Sequence, residues 1–298
     1  MPCGTLYLVG TPIGNLKDLS PRAVEVLGAV GLVAAEDTRH SRRLLSAFGL
    51  HVPLESYHEH NLRTKGPQLV ERLLGGLDVA LVSDAGMPCV SDPGSDLVAL
   101  CVEAGVPVVV VPGPTAFVAG LAGSGLDTAR FVFEGFLPTA GKLRGAALAV
   151  LAAEPRTFVL YEAPHRLRRT LADLVAAGFG ARRTALCREV TKLHEEFLRT
   201  TVREAVAVFE EREPRGEFCL VLEGAASFAA RTAPSTADGE GSAAASAAAL
   251  EARLARLLAD GLSVKDAAAQ AAAEFAVPKK EAYAAALALR AGEPPRLL

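Results

Sequence analysis

Tryptophan is absent from this chain, and tyrosine is nearly so, with 4 residues in 298. Reading a single strand by stacking its bases on aromatic side chains needs such rings, so that mode of recognition is not expected. The core has to be assembled mainly from Val, Leu and Ala, which bury less surface per residue than large rings. Long hydrophobic runs are missing as well. Val106–Val111 is the length of a strand, well short of the roughly 20 residues that a spanning helix requires, so no membrane partner is expected. Met1-Pro2-Cys3-Gly4 runs straight into a strand pattern without the basic head and apolar stretch of a secretory leader. The 5 cysteines (Cys3, Cys89, Cys101, Cys187 and Cys219) are odd in number, far apart and never in a C-x-x-C pair. That spacing speaks for reduced, mostly buried thiols in the cytoplasm and against a disulfide framework or a zinc site. Excess positive charge is also lacking, the formal net charge being −3. Binding depends on local patches, however, and basic residues do bunch: Arg39, Arg42 and Arg43; Arg63 and Lys65; Arg166, Arg168 and Arg169; Arg182, Arg183 and Arg188.

What is present is a rhythm of short apolar runs and helical patterns. Strands are expected at Leu6–Gly10, Leu32–Ala35, Val79–Val82 and Val108–Val111. Between them fall helices at Pro21–Leu27 (with Ser20 as N-cap), Thr38–Phe48, Leu62–Leu74 and Ser95–Ala104. All-apolar strands alternating with helices indicate a largely parallel sheet covered on both faces. After Pro112-Gly113-Pro114 the rhythm changes. Strands at Phe131–Phe133, Phe158–Tyr161, Thr184–Arg188, Glu196–Thr200 and Phe218–Leu222, with helices at Leu143–Leu151, Arg166–Ala176 and Val202–Glu211, suggest a mixed sheet. The fold class expected is therefore α/β, with an N-terminal α/β domain over residues 1–114 and a second over 115–224. Residues 225–247, rich in Ala, Ser, Thr, Gly and Pro, read as a linker. Residues 248–298 read as a small helical module of helix-turn-helix type: Ala248–Ala259, Val264–Phe275 with Ser263 as N-cap, and Lys279–Leu289 opening at Pro278. Nucleic-acid contact and plain packing are both open roles for it.

In open α/β sheets ligands bind at the carboxyl ends of the strands. The loop after the first strand, Gly10-Thr11-Pro12-Ile13-Gly14-Asn15, is not G-x-G-x-x-G and lacks the Gly-Lys-Ser/Thr ending of a phosphate loop. Nicotinamide chemistry and nucleotide hydrolysis are therefore poorly supported. Glu36-Asp37-Thr38-Arg39 follows the second strand, where Asp37 or Thr38 can cap a helix. Ser83-Asp84-Ala85-Gly86-Met87-Pro88 and Ser91-Asp92-Pro93-Gly94 follow the third and form a rigid, backbone-exposing acidic loop. A two-Asp magnesium site competes for that loop, but such sites usually borrow phosphates, and no phosphate loop is present. Pro112-Gly113-Pro114-Thr115-Ala116 then supplies a further rigid turn at a helix start.

Four rigid loops at four strand ends are hard to explain as structure alone. VGTPIGNLKDLSPRA, AEDTRHSRRLL, SDAGMPCVSDPG, VPGPTA, EGFLP, YEAPHR, CREVTKLHEE and GEFCLVLEG occur in this order. Together they resemble the ribosomal RNA small subunit methyltransferase I family of the tetrapyrrole methylase-like (class III methyltransferase) superfamily. The resemblance covers residues 4–224, and the helical module is similar to the family's tail. AEDTR, SDAGMP and YEAPHR set the chain apart from the tetrapyrrole methylases and diphthine synthases of the same fold.

The resemblance implies two α/β domains with S-adenosyl-L-methionine in the cleft between them, and no metal. By position, Gly10, Pro12 and Ile13 would line the cofactor, and Asp84, Gly86 and Met87 would hold its ribose and methionine parts. Thr115 and Ala116 would touch it from the domain junction. Tyr161 and the strand end before Gly216–Leu222 would close the adenine side from the second domain. The implied reaction is 2′-O-methylation of a cytidine ribose in the decoding region of 16S ribosomal RNA, with the small ribosomal subunit as partner and the enzyme a homodimer. Methyl transfer from a sulfonium depends mainly on alignment, and a base or a cation near the ribose hydroxyl would help. Asp37, His165, Glu189 and Lys192 are candidates for that role, with Arg39, Arg166 and Arg188 as phosphate clamps. Asp37, Arg166 and Lys192 are the first choices. Tetrapyrrole methylation on the same fold, or a non-catalytic ribosome-assembly factor, are the competing expectations.

Overall fold

The computed structural model describes residues 3–233, 241–275 and 277–291. Within these residues the chain falls into two compact units, Met1–Arg231 and Thr232–Leu298. The first unit opens with β1 (Leu6–Val9), α1 (Pro21–Ala29), β2 (Leu32–Ala35), α2 (Thr38–Ala47), β3 (Leu54–Ser56), α3 (Leu62–Leu74), β4 (Val79–Val82), α4 (Ser95–Glu103) and β5 (Val108–Val111). The strands lie side by side in the order β3-β2-β4-β1-β5, every neighbouring pair parallel. Because side chains alternate across a strand, each apolar strand feeds two cores. Leu6 and Leu8, Leu32, and Val79 and Leu81 face Leu69, Leu73 and Leu97. Val9, Val33 and Val82 face Leu27, Leu44 and Leu45 on the other side. Such residues contribute roughly 1.5–3 kcal/mol each when fully buried. Ser20 caps α1 as expected, its side chain accepting from the Ala23 N–H. The short strand β3 escapes sequence reading because its three residues, Leu-Glu-Ser, carry no two-residue alternation of any length.

The second half of this unit runs α5 (Ala116–Ser124), β6 (Phe131–Phe136), α6 (Gly141–Ala153), β7 (Thr157–Glu162), α7 (Pro164–Leu174), β8 (Arg183–Arg188), β9 (Glu196–Thr201), α8 (Val202–Glu211), β10 (Phe218–Leu222) and α9 (Ala225–Thr232). Its sheet has the order β6-β7-β10-β8-β9. Only β6 and β7 are parallel; β7–β10, β10–β8 and β8–β9 are antiparallel. The direction of β10 matters for the site, because its first residues lie beside the last residues of β7 and β8: Phe218 pairs with both Glu162 and Arg188. Leu160, Leu186, Leu220 and Phe158 face α6, α7 and α8 on one side, and Val159, Cys187, Cys219 and Val221 face α5 on the other. The division at residues 114 and 115 falls between β5 and α5, yet both sheets belong to one compact unit.

The stretch 225–247 is corrected in part. Ala225–Thr232 is the helix α9, tied to the body by the Ala225 N–H on the Glu154 carbonyl (2.8 Å) and by an Arg231–Glu223 ion pair (2.8 Å). The next helix, α10 (Gly241–Ala259), begins before Ala248. Alanine is the best helix former, so a segment poor in large apolar residues still coils when Ala dominates it. Residues 234–240 of the expected linker, and 292–298 of the expected module, lie outside the described residues. In the second unit α10 packs with α11 (Val264–Phe275) and α12 (Lys279–Ala291) around Leu254, Leu257, Ala271 and Ala286. Ser263 caps α11 by accepting from the Asp266 N–H. No helix among the described residues is long and apolar enough to cross a membrane.

Candidate functional site

The loops after β1, β4 and β5 are locked to one another. Thr11 and Gly86 exchange backbone hydrogen bonds (2.9 and 3.1 Å), and the Thr11 and Ser83 hydroxyls both donate to the Gly86 carbonyl. Gly10 lies directly on Gly113: a Cβ on Gly10 would sit 2.7 Å from the Gly113 Cα and from the Met87 sulfur. Two further segments around the site hold non-glycine residues in left-handed backbone, Cys89 and Ser91 after β4 and Glu189 and Thr191 after β8. Each such residue costs on the order of 1–3 kcal/mol, and strain of this kind gathers at functional sites.

A cavity of about 510 Å³ opens between the two sheets. The first half supplies Ile13, Gly86, Met87 and Asp92, α5 supplies Thr115 and Ala116 at its start, and the second half supplies Tyr161, Cys187, Cys219 and Lys192. Tyr161 is held by the Phe117 N–H, which donates to its hydroxyl (3.1 Å), and by rings of Phe133 and Phe136 at 5.1 and 5.7 Å. Burial pushes its phenol above the ordinary range. Burial likewise raises the Cys187 thiol to about 12 and the Cys219 thiol further, so both act as small apolar groups in the wall. The acidic side is Asp92, pushed up to about 6 by burial and by Glu36 and Asp84 nearby, against a hydrogen bond from Ser83. Glu36 is raised by burial and by Asp84. An apolar slot with an aromatic floor, a backbone loop and a carboxylate suits a nucleoside that bears a cationic amino-acid tail.

A second cavity of about 510 Å³ adjoins the first. Ile13, Ala85, Lys192 and Glu217 border both, while Pro12, Asp84, Leu16, His40 and Arg43 line the second. Lys192 thus stands at the junction. Its ammonium donates to Glu189 (2.9 Å) and Glu217 (3.1 Å), and its stem crosses Gly14, where a Cβ would lie 2.2 Å from its Cγ. Burial alone would lower the Lys192 pKa, but the two carboxylates outweigh it and the net shift is upward, so the side chain is a fixed cation at neutral pH.

Of the residues expected to hold the cofactor, Ile13, Gly86, Met87, Thr115, Ala116 and Tyr161 border the first cavity, Pro12 and Asp84 border the second, and Gly10 supports Met87 from behind. Asp37 and Arg166, first choices for catalysis, stand in neither wall. Asp37 caps α2 and binds Arg39 (2.7 Å), which holds its carboxyl well below the usual range. Arg166 bridges buried Glu162 (3.1 Å) and the Leu137 carbonyl (2.6 Å), while Arg144 donates to Asp173 (2.7 Å) and the Pro138 carbonyl (3.0 Å). The two arginines fasten the loop that follows Phe136, itself part of the cavity wall. Arg188 closes the β8–β9 hairpin by donating to the Arg215 and His194 carbonyls, and His165 is exposed at the start of α7. Phe136 of the EGFLP motif also stands in the wall without having been expected there, while Asp92 belongs to the loop read as acidic and Glu217 to the Gly216–Leu222 segment named beside Tyr161.

Two consequences can be measured. Arg166→Met leaves the Glu162 carboxylate buried without its cation, so stability falls by about 3 kcal/mol in thermal or urea unfolding. Adding Glu162→Gln restores much of it. A loss of RNA affinity with unchanged stability would instead return Arg166 to phosphate binding. For Asp92 the folded-state pKa is raised, so its ionisation opposes folding as pH climbs from about 4 to 6. Asp92→Asn therefore raises the melting temperature of the empty protein at pH 7 while weakening a cationic ligand, and wild-type affinity for that ligand declines as pH falls through about 6. Calorimetry at several pH values checks both; a flat profile would remove Asp92 from the binding wall.

Residues 5–206 match the family model for Tetrapyrrole (Corrin/Porphyrin) Methylases, and residues 244–290 match that for the RsmI C-terminal HTH domain. The chain is 47% identical to Ribosomal RNA small subunit methyltransferase I of Synechocystis sp., over 97% of this chain and 99% of that protein. It is 42% identical to the protein of the same name from Halalkalibacterium halodurans, over 94% and 93%. Among solved structures, uroporphyrin-III C-methyltransferase from Thermus thermophilus in complex with S-adenosyl homocysteine superposes with a TM-score of 0.53 at 22% identity, covering 74% of this chain and 97% of that one.

Proposed function

The chain belongs to the ribosomal RNA small subunit methyltransferase I family, within the tetrapyrrole methylases, and from that membership we propose that it transfers a methyl group from S-adenosyl-L-methionine to the 2′-hydroxyl of a cytidine ribose in the decoding region of small-subunit ribosomal RNA. One observation carries the reading: a cavity fitted for a cationic nucleoside opens onto a fixed ammonium, Lys192, shared with a second cavity. The cofactor, when bound, supplies a methyl group on positively charged sulfur. Tyr161, Cys187 and Cys219 would flank its ring, the Gly86–Met87 backbone and Thr115–Ala116 its sugar and tail, and Asp92 its charge. Lys192 lowers the pKa of an acceptor hydroxyl brought to the junction, so that its proton can leave to solvent water as the methyl group is transferred, and stabilises the negative charge that grows on that oxygen. It acts as a cation and not as the base, because Glu189 and Glu217 keep it protonated.

Transfer of labelled methyl from S-adenosylmethionine to unmodified small ribosomal subunits tests this, beside naked RNA and uroporphyrinogen, with Asp84→Ala as the control. Label at a ribose 2′-oxygen of a cytidine, lost in the variant, supports the proposal. Label only in the tetrapyrrole keeps the fold and discards the substrate.

We further propose that the protein works in the cytoplasm as a homodimer. β5 and β6 are edge strands that expose Val110 and Phe131, and Phe131 meets Phe117 on α5, whose neighbour Val118 is also exposed. Apolar edges of this kind are ordinarily covered. Sedimentation at micromolar concentration should give twice the 31.0 kDa chain mass, and Val110→Lys should halve it; a monomeric wild type removes this part.

A further inference from the structure

We propose that the second cavity is the pocket for the acceptor nucleotide, and that His40 and Arg43 on α2 hold the phosphates flanking it. The inference rests on the reading of the chain as a ribosomal RNA methyltransferase and specifies where the RNA enters. Its first support is position. The cavity meets the cofactor cavity at Ile13, Ala85, Lys192 and Glu217, so an occupant can bring an oxygen beside Lys192 at the one place where the two cavities adjoin. Its second is size, since about 510 Å³ lies within the roughly 300–1,000 Å³ of pockets that enclose a molecule of nucleotide dimensions.

Its third support is chemistry. Pro12, Ile13 and half-exposed Leu16 give an apolar floor against which a sugar or base can lie. His40 and Arg43, three residues apart on α2, share one face of the helix and line the outer wall. The same helix buries Ser41, Leu44 and Leu45 in the core, so its exposed face is rigidly aimed. Arg39 is held by Asp37 at the helix start, which leaves His40 and Arg43 as the polar groups of α2 that border the cavity. An arginine is suited to bidentate phosphate contact. A pocket that takes one residue of a chain, with Arg43 on its α2 side and Lys192 at the junction with the first cavity, fits a ribonucleotide turned out of its stack better than a run of stacked bases.

The test is methyl transfer to unmodified small subunits by Arg43→Gln, His40→Asn and Arg43→Lys at several salt concentrations, with cofactor affinity measured directly by calorimetry. KM for the subunit should rise about 10- to 100-fold for Arg43→Gln. The dependence of log affinity on log salt should flatten by about one unit for each phosphate that is no longer neutralised, a change that a merely structural role would not produce. His40→Asn should raise KM less, Arg43→Lys should recover part of the loss, and cofactor affinity should stay within twofold throughout. An unchanged KM and salt slope in Arg43→Gln would overturn the pocket assignment while wild-type activity upheld the functional reading. Absence of transfer by the wild type would overturn both.

Discussion

Lys192→Met lowers kcat for methyl transfer by about 10²- to 10³-fold, the usual loss when one preorganised donor is removed from a developing oxyanion, while cofactor affinity changes only a few-fold. The expectation follows from how the side chain is held. Two carboxylates fix its ammonium at 2.9 and 3.1 Å, and the stem lies across Gly14, where the missing side chain gives it room. Because the charge is positioned before any substrate arrives, little reorganisation is needed during reaction. Lys192→Arg should not rescue activity, since a planar guanidinium has neither the compact charge nor the geometry of an ammonium. Single-turnover kinetics on saturated enzyme would show it; a methionine variant within threefold of wild type would remove Lys192 from the chemistry.

Gly10→Ala should damage the loops around the first cavity directly. The added carbon would lie 2.7 Å from the Gly113 Cα and nitrogen and 2.7 Å from the Met87 sulfur, and two of those three atoms are backbone that cannot swing aside. Overpacking of this kind costs typically 1–3 kcal/mol, and the displaced loops are the ones expected to hold the cofactor. Affinity should therefore fall at least tenfold along with the melting temperature. Gly145→Ala is the comparison, because its new carbon meets nothing within 4 Å and alanine favours the interior of α6. If the two variants behave alike, the close approach of the β1 and β5 loops is not what shapes the site.

These residues also show what the sequence could and could not disclose. In the parallel sheet every strand ends at the same edge, so the loops after β1, β4 and β5 stood out as ligand sites, and the family resemblance singled out Ile13, Gly86, Met87 and Thr115 within them. In the second sheet the rule fails for β10. It runs antiparallel to β7, so its beginning and not its end reaches the site, and Glu217 is placed by topology that a linear reading does not contain. Asp37 and Arg166 mislead for a different reason. A charged residue beside a strand end can serve a ligand or the fold, and only the partners decide; here they are a helix start, a buried carboxylate and a carbonyl. Helix α9 was hidden by composition, since alanine signals neither a core nor a loop until something packs against it.

The acidic side of the first cavity bears on turnover. Asp92 and Glu217 lie in that wall with Lys192 as the opposing cation, and Lys192 is already engaged by two carboxylates. Such a wall holds a positively charged occupant more firmly than a neutral molecule of the same shape. With the proposed cofactor in this cavity, transfer of the methyl group would turn the sulfonium into a thioether, and the wall would grip the spent molecule less than the fresh one. Product inhibition would then be eased by the electrostatics of the binding site itself, and added salt would erode that advantage to the extent that the wall is open to solvent.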